Sequence, residues 1–171
     1  VLRELLDDGR EVKVLIRKGT DTVNIDGLDV EIAYGDLRDP ESIRSALNGC
    51  DILYHVAAYY SLWDRDQQLI YEINVEGTRK ILQVAKEKGL EKIVYTSTVG
   101  CIGLNEDQTP ATENTFFNKN TLSNDYKKSK HQAEQVEQRP TSEMKSWPQQ
   151  LYPLPKTISL PLAFEVCSKL S

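Results

Sequence analysis

Short apolar runs alternating with stretches of helical spacing predict an α/β fold, a doubly wound parallel sheet with helices on its faces. The runs are residues 11–17, 30–34, 51–58 and 91–98, each rich in Val, Ile, Leu or Tyr. The stretches between them repeat apolar residues at helical intervals and close on glycine. Parallel strands need such crossovers, because a tight hairpin can only reverse the chain.

Residues 1–9 carry Leu2, Leu5 and Leu6 at helical spacing and stop at Gly9, as the end of a helix does. The first run follows with Val12, Val14, Leu15 and Ile16 and ends in a basic pair, Arg17-Lys18. Residues 30–34 alternate and lead into Gly35-Asp36-Leu37-Arg38-Asp39-Pro40, where Asp39 is placed to cap a helix with Pro40 in its first turn. That helix runs through Ile43 and Leu47 to Asn48-Gly49. The strand over 51–58 ends in Ala57-Ala58, and His55 within it reads as a packed core histidine rather than a catalyst. Tyr59, Tyr60 and Trp63 follow in a loop. Residues 64–89 form one long helix with Ile70, Ile73, Gly77, Ile81 and Val84 on a single stripe. Gly77 there costs about 1 kcal/mol relative to alanine, which close packing offsets.

The last strand, 91–98, ends in Thr96-Ser97-Thr98, and beyond a polar loop a helix carries Tyr126 and Lys130. Four residues apart, these two side chains leave one helical face. An ammonium held beside a phenol favours the phenolate and lowers its pKa, and the Thr98 hydroxyl is placed to hold a substrate oxygen against it. The three together suit proton transfer to a carbonyl or from an alcohol. The spacing alone is weak, since solvated lysines on an amphipathic surface helix also produce it. Tyr152 and Lys156 repeat the interval, but Pro153 and Pro155 exclude a helix there.

With Asn74-Val75-Glu76-Gly77-Thr78 added, these motifs resemble the extended short-chain dehydrogenase/reductases, in particular dihydroflavonol-reductase-like and hopanoid-associated sugar-epimerase-like proteins. The resemblance covers roughly the first four-fifths of the chain. It implies a Rossmann-type sheet and an NAD(P)-dependent oxidoreductase or nucleotide-sugar epimerase/dehydratase. Tyr126 would then be the general acid/base, Lys130 its tuner and a ligand of the nicotinamide ribose, and Thr98 the group orienting the carbonyl. Asp36 would accept from the adenine amino group and Leu37 would pack on the ring. Ala57 and Ala58 would let the cofactor approach the backbone, and Asn74 would hold the site geometry. At the end of the second strand of such a fold an acid selects NAD and an arginine selects NADP; Arg17 predicts NADP, with NAD as the other choice. The alternatives are that Arg17 and Lys18 are solvated strand-end charges, and that Asp36 is a turn carboxylate. The resemblance also implies a small-molecule substrate, either a sugar nucleotide or a ketone or alcohol. Residues 103–122 would border it, and the intact relative would be a homodimer.

Two departures stand out. The family begins with a strand and a glycine turn that meets the pyrophosphate, and Val1 reads as lying beyond both, so the sheet is expected to be incomplete, with two half-sheets facing one another across unpaired edges. Residues 1–137 are therefore read as a partial NAD(P)-binding domain. Residues 138–171 hold five of the seven prolines and no periodicity, and are read as an irregular or disordered tail of frameshift type. Non-catalytic nucleotide binding on the same fold, and an inactive fragment, are the alternative readings. The first would be favoured by loss of Tyr126 or Lys130, and the second is favoured by the absent glycine turn.

A net charge of −5 argues against a nucleic-acid surface, which needs clustered positive charge. Cys50, Cys101 and Cys167 are odd in number and widely spaced, so neither disulfides nor zinc are indicated. No apolar run approaches the ~20 residues that span a membrane. The expectation is a cytoplasmic protein.

Overall fold

Five strands form one sheet in the order β2-β1-β5-β3-β4. The computed structural model describes residues 1–61, 67–105, 107, 109–112, 115, 124–138 and 165–169. β1 (Val12–Ile16), β2 (Glu31–Tyr34), β3 (Ile52–His55) and β4 (Lys92–Tyr95) lie within the four predicted runs. β1 and β2 pair in parallel from Lys13 opposite Glu31 to Ile16 opposite Tyr34, and β3 and β4 do so from Ile52 opposite Lys92 to His55 opposite Tyr95. The fold is Rossmann-like, with helices packed on a sheet in which four of the five strands run in the same direction.

The expected gap between the half-sheets is filled. β5 (Glu165–Ser168) lies between β1 and β3 and runs antiparallel to both, with Ser168 opposite Val12 and Ile52 and Glu165 opposite Leu15 and His55. Four residues of the segment read as an irregular tail thus form the central strand. The facing edges of β1 and β3 carry amide and carbonyl groups that burial would leave unpaired, and any short extended segment with suitable alternation relieves that cost. β5 has the alternation: Val166 joins the apolar cluster of Leu5, Val14, Ile16 and Ile25 on one face, and Cys167 joins Ile43, Leu53, Ile81 and Ala85 on the other. Cys167 is also disulfide-bonded to Cys50, with Cα atoms 5.8 Å apart and a sequence separation of 117. This disulfide corrects the reading that none is indicated: odd, widely spaced cysteines carry no pattern, and only the insertion of β5 brings these two together. Cys101 is free and buried.

α1 (Leu2–Asp7) covers one face of the sheet, while α2 (Pro40–Ala46) and α4 (Thr78–Glu87) cover the other. Asp39 caps α2 as predicted, its carboxylate accepting from the Glu41 amide at 3.1 Å. The long helix read over 64–89 is found without a break from Gln67 to Glu87, residues 64–66 lying outside the described ones, but its middle is widened: α3 (Gln67–Tyr71) passes through a π-helical turn (Glu72–Gly77) into α4. The widened turn contains Asn74 and Gly77, which the site requires in particular places. At Gly77 a Cβ would lie 3.0 Å from the Leu37 Cβ, so glycine is what lets the helix close onto the loop after β2. α5 (Asp125–Gln138) begins after Asn124, whose side chain accepts from the Lys127 amide at 2.9 Å.

Candidate active site

Four residues singled out in the sequence meet in one pocket at the carboxyl ends of the strands. Arg17 follows β1, Asp36 and Leu37 follow β2, Ala57 follows β3, and Tyr59 and Ile73 complete the wall. This is where open α/β sheets bind ligands. The loop that carries Asp36 is built tightly. A Cβ at Gly35 would fall 2.7 Å from the Ser42 side chain and 2.9 Å from Leu15, so only glycine lets α2 start against the end of β2. The Ser42 hydroxyl accepts from the Asp36 amide at 3.0 Å and sits within reach of the Asp39 carbonyl at 2.9 Å.

Asp36 is gripped by Arg38. Its Oδ1 accepts from the Arg38 amide and Nε, both at 2.9 Å, and its Oδ2 from Nη2 at 2.7 Å. The Arg38 guanidinium holds this carboxyl below the usual carboxylate range; burial opposes the shift, and Arg17 adds a weaker pull. Arg17 itself is exposed, and among the described residues its guanidinium has no ion-pair partner. Leu37 and Ala57 are buried and present apolar walls. Ala58 is half-buried and does not line the pocket.

The proton-transfer group is assembled at the end of β4. Thr98 caps a short 3₁₀ turn, Val99–Cys101, and its Oγ1 accepts from the Gly100 amide at 3.3 Å, leaving its O–H to donate elsewhere. Lys130 is 3% exposed. Its ammonium donates to the Thr96 carbonyl at 2.7 Å and lies 4.3 Å from the centroid of the Tyr95 ring. Tyr126 is half-buried, and its ring meets Tyr60 edge-on at 4.9 Å. Its phenol is pushed above the ordinary tyrosine value, first by burial and then by Cys101 and Tyr60. The expected lowering by Lys130 is not what this site gives, because the buried phenol loses hydration that its anion would need.

Asn74 links the two halves. It is 3% exposed; its Oδ1 accepts from the Tyr59 amide at 2.6 Å, and its Nδ2 donates to the Tyr59 carbonyl and to Ser129 Oγ, both at 2.9 Å. Ser129 in turn donates to the Tyr126 carbonyl at 2.8 Å. One amide side chain thereby fixes the loop after β3 against the helix that carries Tyr126 and Lys130. His55 is the packed core histidine expected, 1% exposed and 2.7 Å from Thr78 Oγ1.

Sequence reasoning passed over Tyr60 as a neighbour of Tyr126, and over Ser129, Ser97 and Glu134. Glu134 was within reach of it, since 126, 130 and 134 continue one four-residue interval. Ser129 had no signal beyond its place between two singled-out residues. Trp63 and most of the loop over 103–122 lie outside the described residues. Among the described residues no group of three His, Cys, Asp or Glu could hold a metal ion, and no helix is long and apolar enough to cross a membrane.

Comparison with known proteins gives a consistent picture. Residues 1–152 match the 3-beta hydroxysteroid dehydrogenase/isomerase family. Sterol demethylase protein B of Methylococcus capsulatus is 47% identical over 105 residues, which is 61% of this chain and 32% of that protein. A Synechocystis protein with a provisional dihydroflavonol 4-reductase name is 40% identical over 135 residues, 79% of this chain and 39% of that protein. The chain thus spans between 32% and 39% of the length of these two relatives. Among solved structures, Thermus thermophilus UDP-glucose 4-epimerase in complex with NAD superposes with a TM-score of 0.67 at 28% identity, covering 78% of this chain and 44% of that one.

Proposed function

The chain belongs to the 3-beta hydroxysteroid dehydrogenase/isomerase family, and from that premise we propose that it is an NAD(P)-dependent oxidoreductase acting on a carbonyl or alcohol carbon of a small molecule. The observation that carries this reading is the convergence of Arg17, Asp36, Leu37 and Ala57 in one pocket, joined through Asn74 to the helix of Tyr126 and Lys130.

The residues fit the two ends of a dinucleotide, its adenosine phosphate and its nicotinamide ribose. Arg17 supports NADP over NAD, since its guanidinium suits a 2′-phosphate in charge-assisted contact. Asp36 would accept from the adenine amino group, Leu37 and Ala57 would flank the base and ribose, and Lys130 would take the nicotinamide ribose. The cofactor, when bound, supplies hydride donation or acceptance. The rest falls to the chain. The Tyr126 phenol, raised in pKa by burial, keeps its proton at neutral pH and gives it to the substrate oxygen as a carbonyl becomes an alcohol. In the reverse direction the phenolate takes that proton back. Thr98 donates to the same oxygen and holds it against the phenol. The same groups would serve a sugar-nucleotide epimerase, a second reading favoured by the likeness to the Thermus epimerase. The reading takes a cytoplasmic enzyme, homodimeric in the intact relative.

NADPH oxidation, followed by absorbance over a panel of ketones, tests this. Tyr126→Phe removes one oxygen and should lower turnover by on the order of 10²–10⁴ while NADPH still binds. A Tyr126→Phe protein working at the parental rate would remove the catalytic assignment.

A further inference from the structure

α5 grips the end of β4 at two successive turns. At the first, Lys130 donates to the Thr96 carbonyl at 2.7 Å. At the second, the Ser97 hydroxyl donates to Glu134 Oε1. Thr96 and Ser97 immediately precede Thr98, and Tyr126, Lys130 and Glu134 follow at intervals of four along one face of the helix. The two residues proposed to handle the substrate oxygen therefore sit on separate elements, and two polar clamps set the distance between those elements. Lys130 is already assigned to the reaction; Glu134 is not.

We propose that Glu134 is a positioning residue for the proposed reaction: its carboxylate holds the Ser97 hydroxyl, and with it the strand end that carries Thr98, in register with Tyr126. The inference rests on that functional reading, although the clamp itself stands on geometry alone. The Ser97 hydroxyl donates to an ionised acceptor, and a carboxylate takes such a bond more strongly than a neutral oxygen does. Burial and the Glu134 charge also push the Cys101 thiol up to about 11, while Ser97, Lys130 and Thr98 pull it back more weakly. Cys101 therefore stays a neutral thiol near neutral pH. His131, with Nδ1 4.0 Å from Glu134 Oε2, faces the same carboxylate from within α5.

The test uses Glu134→Ala, Glu134→Gln and Ser97→Ala in the full chain, with two readouts. The first is amide hydrogen exchange of residues 96–102 compared with β1. Glu134→Ala and Ser97→Ala should speed exchange at the strand end and leave β1 unchanged, and Glu134→Gln, which keeps an acceptor, should restore most of the protection. The second is kinetic. Glu134→Ala should lower kcat about tenfold or more, as misplacement of a reacting group does, with the NADPH Kd unchanged and most of the loss recovered in Glu134→Gln. Exchange that rises equally over the whole sheet, or a Glu134→Gln protein as impaired as Glu134→Ala, would overturn the proposal. If the parent turns over no carbonyl, the functional reading fails at that point, and the exchange pattern still decides whether Glu134 positions the strand end.

Discussion

A carboxylate held by a guanidinium in a half-solvated loop responds to pH in a definite way, and Asp36 is such a group. Its pKa in the folded chain lies below the ordinary value, chiefly because of Arg38. A depressed acid contributes stability that is complete above its unfolded value, about 3.9, and is lost as pH falls through the folded value. Arg38→Ala should therefore lower stability near neutral pH, and the difference from the parent should vanish in strong acid. Denaturant midpoints of both proteins between about pH 6 and about pH 2 measure this; a difference that persists at the acid end would mean that Arg38 acts through packing. The identities of Arg17, Asp36, Leu37 and Ala57 as pocket residues were legible from sequence because each sits just past a strand, where side chains point into the crevice. The Arg38 grip was not legible, because an arginine two residues from an aspartate can equally well face solvent.

At the scale of elements, the π-helical turn is held by Asn74. Three hydrogen bonds from one buried amide tie the loop after β3 to α5. Asn74→Ala strands the Tyr59 amide and carbonyl and frees the Ser129 hydroxyl, which should cost about 2–4 kcal/mol in unfolding measurements and loosen the Tyr126 helix before it affects α1. A loss under about 0.5 kcal/mol, the size of an ordinary surface change, would show that water replaces the amide. Periodicity found the helix but not its widened turn, since Ile70, Ile73, Ile81 and Val84 remain apolar and inward whether the turns are α or π. The turn is set by tertiary demand: Gly77 must meet Leu37, and Asn74 must reach both Tyr59 and Ser129.

At the scale of the whole molecule, the sheet depends on β5. Four parallel strands and their crossovers could be read from apolar runs, whereas the central strand could not. A four-residue segment with two apolar side chains, in a stretch rich in proline, is too short for its alternation to be told from chance. Its place is fixed by the unpaired edges of β1 and β3 and by Cys50. The disulfide closes a loop over a sequence separation of 117, so its reduction should lower stability by about 2–4 kcal/mol, and Cys167→Ser should reproduce the loss without any reductant. Thermal unfolding with and without a dithiol checks this, and equal midpoints would show that pairing of the strands alone holds β5.

Binding of adenosine phosphates to the chain itself tests the central claim, that the carboxyl ends of β1, β2 and β3 form a nucleotide pocket selective for a 2′-phosphate. Calorimetric titration with 2′,5′-ADP and with 5′-AMP needs only Arg17, Asp36, Leu37 and Ala57. The prediction is tighter binding of 2′,5′-ADP by about tenfold or more, the worth of one charge-assisted pair, and loss of that preference in Arg17→Ala with 5′-AMP affinity unchanged. Equal affinity of the parent chain for the two nucleotides, or binding of neither, would contradict it.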